Sequence, residues 1–185
     1  KNALNESLEA RQILSKLIDV RIASETRHDD LLDMLLDARY EDDTAMSREQ
    51  LIDEILILFI AGHETTSNAL TFTAALLARD PEIQEKLYVE SLKAQQESDL
   101  LDKIKKLTYT NQVINEAMRL YPPAYFIDRI SIENDQYDEF KIEAGTNILF
   151  SIFEIHRHTD FWERPDTFNP DRFADDSLKY SPYYY

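Results

Sequence analysis

The chain has 185 residues, enough for one globular domain and too few for two of ordinary size. Its 20 Lys+Arg against 36 Asp+Glu give a formal charge of −16, which excludes a general nucleic-acid binder, because phosphate contacts need clustered positive charge. Cysteine is absent, which excludes disulfides, thiolate metal sites and cysteine nucleophiles within these residues, and only 2 glycines disfavour a turn-rich all-β fold.

In chain order, Leu4, Leu8, Leu14, Leu17 and Ile18 recur at helical spacing from Asn2 to about Ser24. Asp29 and Asp30 then precede Leu31, Leu32, Leu35 and Leu36, the pattern of a short helix with acidic residues at its start. A polar loop from Arg39 to Ala45 leads to Ser47, which opens the longest helix with Gln50 as its capping-box partner. That helix is expected to run to Arg79, where Asp80-Pro81 stops it. Its first half is apolar nearly all round, the signature of a rod crossing an interior.

Asp80 and Pro81 start a further helix with Ile83 and Leu87 on its buried side. Ser98 to Lys106 reads as a short solvated helical turn. Thr108 is expected to cap a helix carrying Val113, Ile114, Ala117 and Leu120, which ends at Pro122-Pro123. Short strands follow over 124–132, 140–143 and 146–153, with Gly145 at a turn. From Thr159 to Pro182 periodicity is lost and aromatics accumulate, as in a packed, irregular meander. The fold class is therefore mainly α with a small β component, over residues 1–185 as a single domain. The longest apolar run, Ile55 to Ala61, is too short to span a bilayer, and no signal-peptide pattern opens the chain. Both ends read as cuts through a longer chain.

Three groups of residues carry chemistry. Ala61-Gly62-His63-Glu64-Thr65-Thr66 places glycine and polar groups inside the longest helix, where glycine costs about 1 kcal/mol relative to alanine. One reading is that Gly62 admits a flat ligand while a threonine hydroxyl opens one helical hydrogen bond, with Glu64 beside it as a proton source. The other is a helix that turns polar where it meets solvent. A zinc-protease HExxH is excluded, since Ser67 stands where the second histidine is required. His156 and His158 form an HxH pair without a third ligand, and are read as structural or surface histidines. Glu116 and Arg119, at i and i+3, share a helix face, and Arg172 can join that carboxylate if the meander folds back. Such a cluster would fix the meander on the helix.

In this order the motifs resemble those of the cytochrome P-450 family of haem-thiolate monooxygenases. AGHETT is similar to the family's oxygen-activation motif, Glu116-Ala117-Met118-Arg119 to its ExxR, and Phe168-Asn169-Pro170-Asp171-Arg172-Phe173 to its meander. The resemblance implies a partial fold running from the long central helix to the meander, without the N-terminal part and the haem-ligand loop. It implies Glu64 and Thr65 in catalysis, with Thr65 hydrogen-bonded to dioxygen and Glu64 delivering protons. Ala61, Gly62 and Arg129 would bind haem, the last through a propionate. Glu116, Arg119 and Arg172 would form the structural triad, and Ala124 and Tyr125 would meet a small hydrophobic substrate. Electrons would come ultimately from NAD(P)H through a redox partner, a reductase or a protein of ferredoxin or flavodoxin type, fused or separate. The iron ligand would be a cysteine outside these residues, leaving the fragment itself inactive. No nucleic acid or membrane segment is expected, and a cytoplasmic, soluble protein is, unless a preceding segment holds an anchor. A non-catalytic helical fragment or interaction module stays open as the alternative.

Overall fold

The computed structural model describes residues 2–24, 26–174 and 185. The chain divides into two compact units, Lys1–Glu64 and Thr65–Tyr185, with the longest helix running through the boundary. Helices dominate both.

In the first unit, α1 (Asn2–Ala23), α2 (Leu31–Asp37) and the start of α3 (Arg48–Leu77) bury Ile18, Leu51 and Ile52. Half-buried leucines and isoleucines at helical spacing, among them Leu14, Leu32, Leu35 and Ile55, complete that core. The turn between α1 and α2 is held by charge. Asp33 is buried yet accepts the backbone N–H of His28 at 2.6 Å and of Asp29 at 3.1 Å, and the Arg21 guanidinium at 2.9 Å. The His28 N–H is the main reason its carboxyl titrates below the ordinary carboxylate range, despite the opposing effect of desolvation. These bonds fix a chain path in which Asp29 takes φ 53°, a left-handed conformation uncommon outside glycine. Asp30 caps α2 by accepting from Asp33 N, and the Arg39–Ala45 loop closes on itself through a single antiparallel bridge.

Ser47 opens α3 as expected, its hydroxyl accepting from Gln50 N at 3.2 Å. The capping box is half made: the Gln50 side chain accepts instead from the Tyr40 hydroxyl. The longest helix is α-helical through Ala61–Thr66, and every residue from Ile57 to Asn68 is exposed, in keeping with a rod that a chain of this length can scarcely cover.

The second unit contains the rest of α3, α4 (Pro81–Ala94), α5 (Leu100–Lys105) and α6 (Thr108–Leu120). Asp80 and Asp99 cap α4 and α5 through their carboxylates. Thr108, expected to cap α6, does not. The N-cap position is Leu107, which makes no side-chain cap bond. The first turn is held from outside by Glu90 of α4, which accepts from Tyr109 N at 2.6 Å, Thr110 N at 2.9 Å and the Thr110 hydroxyl at 2.7 Å. One carboxylate thus serves the orphan donors and the positive end of a neighbouring helix.

After α6, β1 (Phe126–Ile130) pairs antiparallel with β4 (Asn147–Ser151), Arg129 opposite Ile148. Between them β2 (Asp135–Tyr137) and β3 (Phe140–Ile142) make a separate hairpin. The sequence reading missed β2, whose three residues show no alternation of apolar with polar side chains. It also merged into the last strand the four-residue helix α7 (Ile152–Ile155), capped by Ser151. Gly145 sits at φ 83°, the conformation its turn requires. A 3-10 turn over Pro170–Phe173 ends the described meander, and the expected stretch from 175 to 182 lies outside the described residues. Among the described residues no helix is long and apolar enough to cross a membrane.

Desolvation opposes ionisation of Glu90, but the hydrogen bonds from Thr110 and the Tyr109 N–H prevail, and its carboxyl titrates below the ordinary value of 4.5. The stability it contributes is complete above that ordinary value and is lost as pH falls through the depressed one. Glu90→Ala should therefore cost on the order of 1–2 kcal/mol at neutral pH. The deficit should shrink on acidification, as read by urea denaturation at pH 7 and pH 4.

Candidate functional site

Two groups of the expected residues are described separately, one on α3 and one around α6. On α3 the residues Ala61, Glu64 and Thr65 lie at i, i+3 and i+4, so they share a helix face, and Gly62 stands one turn before Thr65. All four are exposed. A Cβ placed on Gly62 would meet nothing within 4 Å, so the backbone there is open. Just before it come Ile57, Phe59 and Ile60 with 60%, 67% and 57% of their surface exposed. Phe59 stacks on His63 at 5.9 Å. Ile57 and Ile60 share the face of Ala61, Glu64 and Thr65, whereas Phe59 and His63 lie on another. The shared face passes from apolar to polar over two turns, which suits a broad apolar ligand.

The group around α6 is buried. Arg119 and Glu116 are both 0% exposed. Arg119 Nε donates to Glu116 Oε2 at 2.7 Å and Nη2 to Glu116 Oε1 at 2.9 Å, a bidentate fork. Nη1 donates to the His156 carbonyl at 2.7 Å, and Nη2 lies 3.4 Å from that of Thr167. The flat guanidinium rests on Trp162, 5.0 Å from the ring centroid. Glu116 Oε1 also accepts from Asn169 N at 2.9 Å and from Arg172 Nε at 3.2 Å. Arg172 itself donates through Nη2 to the Arg164 carbonyl at 2.8 Å. The Glu116–Arg119 pair thereby gathers the turn after α7, through Arg119, and the meander, through both, onto α6.

The remaining expected residues lie on or beside β1. Arg129 is exposed and its Nη1 donates to the carbonyl of its own neighbour Asp128 at 2.7 Å. Ala124 and Tyr125 are exposed just before the strand, with Tyr125 edge-on to Phe126 at 4.8 Å. Among the described residues no group of three His, Cys, Asp or Glu side chains is placed to hold a metal ion.

Glu90 escaped the sequence reading, since no spacing rule links it to a helix start 18 residues on. The pair read as structural or surface histidines is one of each: His156 is buried against Arg119 and His158 is exposed. The signal available was the position of Trp162 and His156 among aromatics that must pack on something.

The family model for cytochrome P-450 matches residues 4–185. The chain belongs to the cytochrome P-450 family. Taxane 10-beta-hydroxylase from Taxus cuspidata is 30% identical, aligned with 100% of this chain and 39% of its own length. Cyclooctat-9-en-7-ol 5-monooxygenase from Streptomyces melanosporofaciens is 31% identical, over 91% of this chain and 37% of its own. Among solved structures, the retinoic acid bound cyanobacterial CYP120A1 superposes with a TM-score of 0.86 at 32% identity. That match covers 95% of this chain and 41% of the other. This P-450 chain therefore spans roughly two-fifths of the length of these relatives. Its fold is the corresponding mainly helical part with short antiparallel strands. Haem is the family's cofactor, and its fit to this chain is one-sided. The open, apolar face at Ala61–Gly62 suits contact with a flat macrocycle, and no cysteine is present to ligate its iron.

Removing one partner of a buried ion pair strands the other charge, at about 3–5 kcal/mol. Arg119→Ala should destabilise the chain by that amount, and Arg119→Lys should recover little, since an ammonium cannot form the planar fork. Urea denaturation followed by Trp162 fluorescence reads both.

Proposed function

We propose that this chain is the central portion of a haem-dependent monooxygenase that hydroxylates a hydrophobic organic substrate, with dioxygen as co-substrate. The observation that carries the reading is the exposed face of α3, where apolar residues give way to an open Gly62 and then to Glu64 and Thr65 within one helical turn. The names of relatives as hydroxylase and monooxygenase support the same reaction class. Haem, when bound, supplies the dioxygen activation that protein side chains lack.

The chain's own residues have four tasks in this reading. Ile57 and Ile60 exclude water from the reacting face, which strengthens every polar interaction beside it. The Thr65 hydroxyl both donates and accepts, so it would hold a proton on the open face of the helix, with Glu64 as the acid that supplies it. Arg129 on its exposed strand offers a fixed positive charge for a propionate, and Ala124 and Tyr125 offer apolar contact to substrate. Glu116, Arg119 and Arg172 hold the meander in register and take no part in proton transfer. With no thiolate of its own, this chain is inactive alone, and the working enzyme needs a ligand cysteine and a redox partner delivering electrons from NAD(P)H.

In a full-length protein containing this chain, Thr65→Ala should leave haem content and substrate affinity unchanged. Reductant consumption should continue while hydrogen peroxide replaces hydroxylated product, because proton supply is lost. Product and peroxide are quantified per reductant consumed. Unchanged coupling would reject the role given to Thr65. Absence of a thiolate-type absorbance band from the reduced, carbon monoxide-treated protein would reject the reading as a whole.

A further inference from the structure

His156 and Arg119 hold each other twice. The Arg119 Nη1 donates to the His156 carbonyl at 2.7 Å, and the His156 ring Nδ1 lies 3.2 Å from the Arg119 carbonyl. A carbonyl only accepts, so Nδ1 must carry the hydrogen, and in the neutral ring the other nitrogen, Nε2, is bare. Protonation would therefore add its charge at Nε2.

Backbone hydrogen bonds with Arg119 and Met118 favour the charged ring, but burial and two neighbouring cations outweigh them. The ring is buried and faces the Tyr185 phenol ring at 5.4 Å. The charged groups bearing on it are Arg119 from α6 and Arg157 beside it, both cationic. Of the nearby carboxylates, Glu116 is committed to Arg119 and Arg172, and Asp166 reaches only Arg157, at 3.5 Å. Arg157 is itself under strain of this kind: its Nη1 is buried without an acceptor while its guanidinium lies 3.7 Å from the Phe153 ring centroid. A third cation here repels the Arg119 guanidinium, which the bond from Nη1 ties to the backbone of the same histidine.

We propose that His156 is an acid-sensitive latch on Arg119, holding the guanidinium against α7 and the meander while neutral and releasing them when protonated. Burial chiefly, with Arg119 and Arg157 adding repulsion, holds its imidazole below the ordinary value of 6.5. The sign follows. The unfolded ring takes up a proton before the folded one, so the latch's contribution is complete above 6.5 and is lost as pH falls through the depressed folded value. The inference rests on the α6 cluster alone and stands whether or not the chain serves a monooxygenase.

The chain carries its own reporter. Trp162 is its 1 tryptophan, buried against the Arg119 guanidinium. Titrating the 185-residue chain from pH 8 to pH 4.5 should give a reversible change in Trp162 emission centred below pH 6.5, with helical circular dichroism unchanged over the same range. His156→Asn keeps a side-chain N–H to offer the Arg119 carbonyl and removes the titration, so its emission should stay flat. Should that variant fail to fold, proton NMR of the wild type decides: one of the 4 histidine Cε1–H signals must titrate with the same midpoint as the tryptophan indole signal. The latch is overturned if wild-type emission is flat. It is also overturned if the transition survives in His156→Asn, or if no histidine signal shares its midpoint.

Discussion

A guanidinium and a carboxylate withdrawn together from water govern how the second unit is assembled. Arg119 and Glu116 could not be buried singly, since an unpaired charge in that position would shift or unfold its surroundings. Once paired they still need partners for the remaining donors and lone pairs. The His156 and Thr167 carbonyls, the Asn169 N–H and Arg172 meet that need. Each comes from chain that has little regular secondary structure of its own. The meander therefore owes its conformation to polar satisfaction on α6 more than to any propensity of its residues. Specificity of this kind does not require a large net stabilisation, because misregistered alternatives leave charge unsatisfied.

The site on α3 follows the opposite logic. There the chain presents apolar surface outward and keeps the helix regular through a glycine and two threonines. The cost of Gly62 is a matter of intrinsic propensity, and neighbouring good helix formers absorb it without a break. A flat approach to the backbone thus needs no distortion of the rod. The absence of a Cβ is enough.

Much of the architecture was legible because it rests on local rules. Periodicity located the helices, and Ser47, Asp80 and Asp30 marked their starts through short-range hydrogen bonds. Glu116 and Arg119 were legible as a pair because a helix fixes residues three apart on one face. The failures share a cause, which is distance along the chain. Glu90 replaces Thr108 as the cap of α6 because a carboxylate from a packed neighbour outcompetes a hydroxyl in sequence, and no spacing reveals that. β2 is held by its partner strand rather than by its own residues. The exposed apolar middle of α3 was legible too, since a rod apolar all round calls for a larger body than 185 residues provide. The polar residues of α3 read equally well as a surface helix, and only the family resemblance favours a site there.

The Glu90 contact has a corollary for anyone cutting or transplanting pieces of this fold. A helix whose opening turn is closed by its own side chain is portable, whereas α6 depends on a donor of charge located on α4. Excised with its flanking loops it would fray from Thr108 inward, toward the pair at Glu116 and Arg119. A transplanted α6 needs α4 with it, so that the closing carboxylate travels with the helix it serves. It also needs the chain from His156 to Arg172, so that the buried pair keeps its partners.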